Sequence, residues 1–169
     1  MFSPLPVNAL ESEDYYTYDA MYCMKTGECT NDIEEYVVQS EEEKLILNTL
    51  KVLGVKVYKA SPIYFTNNYR ALYYPDINVI FINVRYWKDQ LELLRHESWH
   101  VAQDCKVGLH NSNVVPLRSH TDVPTKFKEQ AIARYGTDDP YVYKIEREAL
   151  WAGETAWMSY IELEKCLNK

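Results

Sequence analysis

Apolar and polar positions change their period along the chain, and the changes divide it. Residues 1–38 carry no sustained repeat: they are polar, acidic and rich in tyrosine, and Pro4 and Pro6 break any early helix. This stretch reads as an irregular arm with room for one short helix around "DIEEYVV". The first strong period is helical. In "SEEEKLILNTLKVLG" (40–54), Leu45, Leu47, Leu50 and Leu53, with Ile46, form an apolar stripe. Ser40 and Glu43 have capping-box spacing, and Gly54 stands where a glycine closes a helix. The period then falls to two. "VKVYKA", "RALYY" and "NVIFINV" predict short strands over 55–60, 70–74 and 78–84, the last two forming a hairpin through Pro75 and Asp76. The helical period returns in "YWKDQLELLRHESWHVAQDC", giving a helix over 87–105. Residues 106–122, with Gly108 and Pro116, read as a loop. "PTKFKEQAIARYG" is a short helix closed by Gly136. "TDDP" supplies an aspartate cap and Pro140 for a last, long helix over 141–166.

Strands cluster between helices rather than alternating with them, so the expected class is α+β, a small three-stranded sheet packed on helices. One domain over 39–169, preceded by the arm 1–38, suits a chain of 169 residues.

Composition narrows the partners more than the fold. The net charge is −7 and no run of Lys or Arg stands out, which argues against nucleic acid and against an anionic membrane surface. No segment has the apolar length to span a bilayer, and the first residues do not form a signal peptide, so the default compartment is cytoplasmic. An acidic chain with 15 tyrosines suits a groove for a peptide or protein substrate, although an aromatic-rich core is the simpler account of the tyrosines. Cys23, Cys29, Cys105 and Cys166 are expected as free thiols by default; only Cys23 and Cys29 are close enough in sequence to suggest a small disulfide loop.

The chemistry concentrates in "HESWH". His96 and His100 lie one helical turn apart on one face, so both imidazoles can reach a single ion at about 2.0–2.1 Å. Glu97 lies about 100° around the helix from His96, beside the ion rather than on it, where a general base takes a proton from water. The pattern is H-E-x-x-H, that of metal-assisted hydrolysis. Leu91, Leu94, Val101 and Ala102 mark the buried side of this helix.

With these residues the sequence resembles the zincin metallopeptidases, and within them the gluzincins, in "HESWH" and in a glutamate on a later helix. The metzincin branch is excluded, because Gln103 and Lys106 stand where it needs glycine and histidine. The resemblance implies Zn2+, a minimal zincin-like domain and peptide hydrolysis. A catalytic zinc takes a third protein ligand and keeps one position open. His110 and His120 fall in the loop. Glu146, Glu148 and Glu154 fall on the last helix, in "YKIEREALWAGETAW". Glu148 lies within the small-residue stripe Ile145, Ala149, Ala152 and Ala156, where an isolated carboxylate is costly unless paired or on a metal, so Glu148 is the expected third ligand. The similar element of gluzincins, a Glu just before an Ala, agrees. Ala152 stands where thermolysin-like members carry a supporting Asp, so support for the histidines must come from elsewhere.

The remaining roles stay open. Gln103 is a candidate for substrate contact or for support of the site, and Tyr141, Tyr143, His110 and His120 for the donor to a developing oxyanion. "NVIFINV" reads as an edge strand able to pair with an extended peptide, or as an ordinary core strand. The rival to an enzyme is a non-catalytic zinc-binding structural or interaction module, viral or regulatory, with Cys105 or His110 closing the site. A third reading has the arm covering the groove, with Cys23 on the metal.

Overall fold

The structure is a computed structural model and describes residues 33–62, 65, 69–109 and 113–169. Strand β1 (Ile33–Glu35) is followed by helix α1 (Glu41–Val52), strands β2 (Lys56–Ala60), β3 (Ala71–Tyr74) and β4 (Val79–Asn83), and a 3-10 segment (Val84–Asp89). Helices α2 (Gln90–Cys105), α3 (Thr125–Tyr135), α4 (Pro140–Glu154) and α5 (Met158–Leu167) complete it. The class is α+β, as expected. The sheet has four strands rather than three, in the order β1-β2-β4-β3. β1 pairs antiparallel with β2, β2 parallel with β4, and β4 antiparallel with β3.

The added strand replaces the short helix expected around "DIEEYVV". Ile33 pairs with Ala60 and Glu35 with Tyr58. The helix cap lies further on, where the Ser40 side chain accepts the Glu43 amide at 3.2 Å. The folded unit therefore includes residues 33–38, which the sequence pattern had assigned to the arm. Residues 1–32, with Cys23 and Cys29, lie outside the described residues.

β4 is central, not an edge. Val79, Phe81 and their neighbours pack to one side with Ile33, Phe65 and Leu72, while Ile80 and Ile82 face the helices with Ala71 and Tyr73. A strand covered on both faces reads as a continuous apolar run, which is why "VIFIN" shows no alternation. The edge beside α2 is β3. Its Tyr73 hydroxyl lies 2.8 Å from Asp104 Oδ2 and 2.9 Å from Asn78 Oδ1, tying the sheet to the end of α2.

Predicted stops and starts recur in the fold. Gly54 and Gly136 close α1 and α3 with φ of +78° and +72°. The Asp139 carboxylate accepts the amides of Tyr141 and Val142, with Pro140 opening α4. Within α1, Ile46 and Leu50 are fully buried, while Leu45, Leu47 and Leu53 are only half-buried.

The long helix expected over 141–166 is instead two. The chain turns after Glu154, with Trp157 in the left-handed region at φ +67°. No glycine or proline marks this turn. A left-handed backbone costs a residue with a Cβ about 1–2 kcal/mol. A tertiary interaction offsets it: Glu42, buried on α1, accepts the Trp157 amide at 2.6 Å and pairs with the Arg95 guanidinium of α2. α5 folds back onto α1 and α2 as a result.

Cys105, at the end of α2, is disulfide-bonded to Cys166 on α5. This corrects the expectation of free thiols at these two positions. The two cysteines are 61 residues apart in sequence and meet only because α5 turns back. Closing a loop of that length stabilises the fold by about 4 kcal/mol in the chain-entropy account. Reduction, or the double change Cys105→Ser and Cys166→Ser, is therefore expected to lower the unfolding free energy by that order, read from urea denaturation. An unchanged midpoint sinks this expectation. No helix among the described residues is long and apolar enough to cross a membrane.

Candidate metal centre

α2 is the central helix. His96 through Asp104 are all buried, including the polar side chains of His96, Glu97, Ser98, His100, Gln103 and Asp104. α4 packs across it. The helices come close at Gly153, where an added Cβ would lie 3.2 Å from the Glu92 carbonyl oxygen and 3.5 Å from His96 Cβ. Glu146, Ala149 and Gly153 follow one another at helical spacing, and this face carries Glu146 to the histidines.

His96 Nε2 lies 3.3 Å from Glu146 Oε2, and His100 Nε2 lies 3.5 Å from Glu146 Oε1. The two Nε2 atoms are 3.1 Å apart. One ligand atom from each residue fits within 4.8 Å of the others. Burial pushes the His96 pKa well below its ordinary value, with the neighbouring His100 adding to the effect, and lowers that of His100 to about 4. Both rings are thus neutral near pH 7, the state in which imidazole binds a metal. Their outer sides are held as well: the His96 ring hydrogen-bonds the backbone of Ala149, and His100 Nδ1 lies 2.8 Å from Gln103 Oε1. Two imidazoles and a carboxylate converging in this way offer donors of the kind that hold a metal ion.

The residue brought to the histidines is Glu146, not Glu148. Glu148 is equally buried but faces another side of α4. Its carboxylate accepts the Trp99 indole N–H at 3.2 Å, the Gln103 amide at 3.0 Å, and the backbone amides of Leu117 and Arg118 at 2.9 and 2.8 Å. Hydrogen bonds rather than a cation answer the cost of burying Glu148. α4 is enclosed by α2, by α3 and by the segment around Leu117, so burial could not single out one glutamate. The signal for Glu146 was the glycine seven residues on, which marks where the helices nearly touch. Glu154 is exposed and pairs with Lys126.

Glu97 is buried beside the pair. Its pKa is raised to about 8 by burial, against a hydrogen bond from the Tyr73 backbone amide that favours ionisation. Its Oε1 has no hydrogen-bond partner among the described residues. Tyr135, at the end of α3, hydrogen-bonds Glu146, and burial with that carboxylate holds its phenol well above the usual range. Nothing in the sequence distinguished Tyr135 beyond its place before Gly136.

The other candidates lie elsewhere. His120 is exposed, with its Nδ1 2.6 Å from Arg147 Nη1. The Tyr141 hydroxyl engages the backbone of Val114, and the Tyr143 ring lies under the Arg147 guanidinium. His110 lies outside the described residues. Cys105, in its disulfide, is not available as a ligand.

No family model, curated protein or solved structure matches the chain.

Proposed function

We propose that this chain is a zinc-dependent metallopeptidase of gluzincin-like type, with His96, His100 and Glu146 as the metal ligands and Glu97 as the general base. The observation that carries the reading is the meeting of two neutral, buried imidazoles and a carboxylate from a distant helix, with a second carboxyl beside them on the motif helix. A zinc ion held by these three residues would supply a Lewis acid for a peptide carbonyl and would acidify water. Glu97, next to His96 on the same helix, is the residue to take the proton. A carboxyl poised near neutral pH suits that role, and the field of a bound cation eases its ionisation. The Tyr73 amide holds one side of the Glu97 carboxylate and leaves Oε1 to receive the proton.

One observation favours a second reading, a non-catalytic zinc-binding structural or interaction module: His96, Glu97, His100 and Glu146 are each at most 1% exposed. A sealed site suits a metal that holds the fold. One experiment separates the two. Metal analysis of protein purified without added zinc, followed by a peptide-library cleavage assay with and without chelator, is expected to give equimolar zinc and chelator-sensitive cleavage. Equimolar zinc without cleavage selects the structural module. Absence of bound metal overturns both.

A further inference from the structure

We propose that Gln103, locked in orientation by Glu148, is a positioning residue that fixes His100 in its Nδ1–H tautomer and so turns the Nε2 lone pair toward His96 and Glu146. This deepens the metal reading and rests on it for its purpose, though not for its test.

Gln103 is completely buried. Its Nε2 lies 3.0 Å from Glu148 Oε2 and 3.2 Å from the Ile145 carbonyl oxygen. A carboxylate and a carbonyl only accept, so the Gln103 nitrogen must face them, and its two N–H bonds are both used. The amide oxygen is thereby directed to the opposite side, where it meets His100 Nδ1 at 2.8 Å. An amide oxygen cannot donate, so Nδ1 must carry the proton. In a neutral imidazole Nε2 is then the acceptor, the atom that binds metal.

Glu148 is what makes the orientation single-valued. Three further donors hold its carboxylate: the Trp99 indole and the amides of Leu117 and Arg118. The carboxylate expected from sequence to bind metal thus acts one residue removed from it. It also supplies support for a motif histidine, which Leu150, four residues after Glu146, cannot.

The test reads the tautomer directly. Long-range proton–nitrogen correlation spectra of 15N-histidine-labelled full-length protein, recorded without metal, are expected to show His100 as the Nδ1–H form. Gln103→Leu removes the acceptor at similar size and is expected to lose that preference. Gln103→Glu, as the acid, keeps an O–H toward Glu148 and an acceptor oxygen toward His100, and is expected to keep it. Zinc affinity by chelator competition is expected to fall roughly 10- to 100-fold in Gln103→Leu and less in Gln103→Glu. An Nε2–H tautomer in the wild-type protein overturns the proposal, and this holds even if the leucine variant does not fold. So does a folded Gln103→Leu protein with unchanged tautomer and zinc affinity. Failure of the wild-type protein to take up zinc, with the tautomer still dependent on Gln103, counts against the metal reading and supports the positioning role.

Discussion

Glu97→Gln is expected to lower peptide hydrolysis by roughly 10^2- to 10^4-fold while leaving bound zinc unchanged, the range over which a positioned general base contributes. The substitution keeps the shape and hydrogen-bonding capacity of the side chain but removes its ability to take a proton. Glu97 is not among the converging ligand atoms, so the metal content has no reason to change. Stability is expected to hold or to rise slightly: the carboxyl is buried with a pKa of about 8, so its ionised form is disfavoured by the fold. The amide imposes no such penalty. Turnover numbers measured beside zinc stoichiometry decide the matter. Wild-type turnover in Glu97→Gln removes Glu97 from the chemistry, and loss of zinc makes it a ligand.

The contrast between Glu146→Ala and Glu148→Ala is the second large effect, because the two residues sit two positions apart and do different work. Glu146→Ala is expected to leave a folded protein whose zinc content falls to near zero, a loss exceeding the roughly 10- to 100-fold cost of an outer partner. Glu148→Ala is expected to act on the fold. It strands the Trp99 indole, the Gln103 amide and the backbone amides of Leu117 and Arg118. Each buried donor left unsatisfied costs about 1–3 kcal/mol, so a loss of about 3 kcal/mol or more in unfolding free energy is expected. Thermal unfolding and metal analysis on the same samples separate the two. Zinc retained in Glu146→Ala and lost in a stably folded Glu148→Ala restores the assignment read from sequence.

Much of the architecture was legible because it is written in local patterns. The Ser40 cap, Gly54, Gly136 and the Asp139–Pro140 start each act within a turn of their own element, and each appears where its residue type demands. The hairpin of β3 and β4 was readable from two β-rich runs and an intervening Pro-Asp. Three features were not. β1 is too short to carry a period and exists because β2 offers it an edge. The turn before α5 contains no breaker and depends on Glu42, more than a hundred residues away. The disulfide depends on that turn.

The candidate site divides along the same line. The chain by itself determined the pairing of His96 with His100 and the place of Glu97 beside them, because helical geometry fixes the relation of residues one to four apart. It also limited the third group to the glutamates of one helix. Only the tertiary structure decided among them, since the choice depends on the rotation of α4 against α2, set by the close approach at Gly153. The roles of Glu148, Gln103 and Tyr135 likewise follow from which faces meet across elements, and side-chain pairing between distant segments leaves no periodic trace in either one.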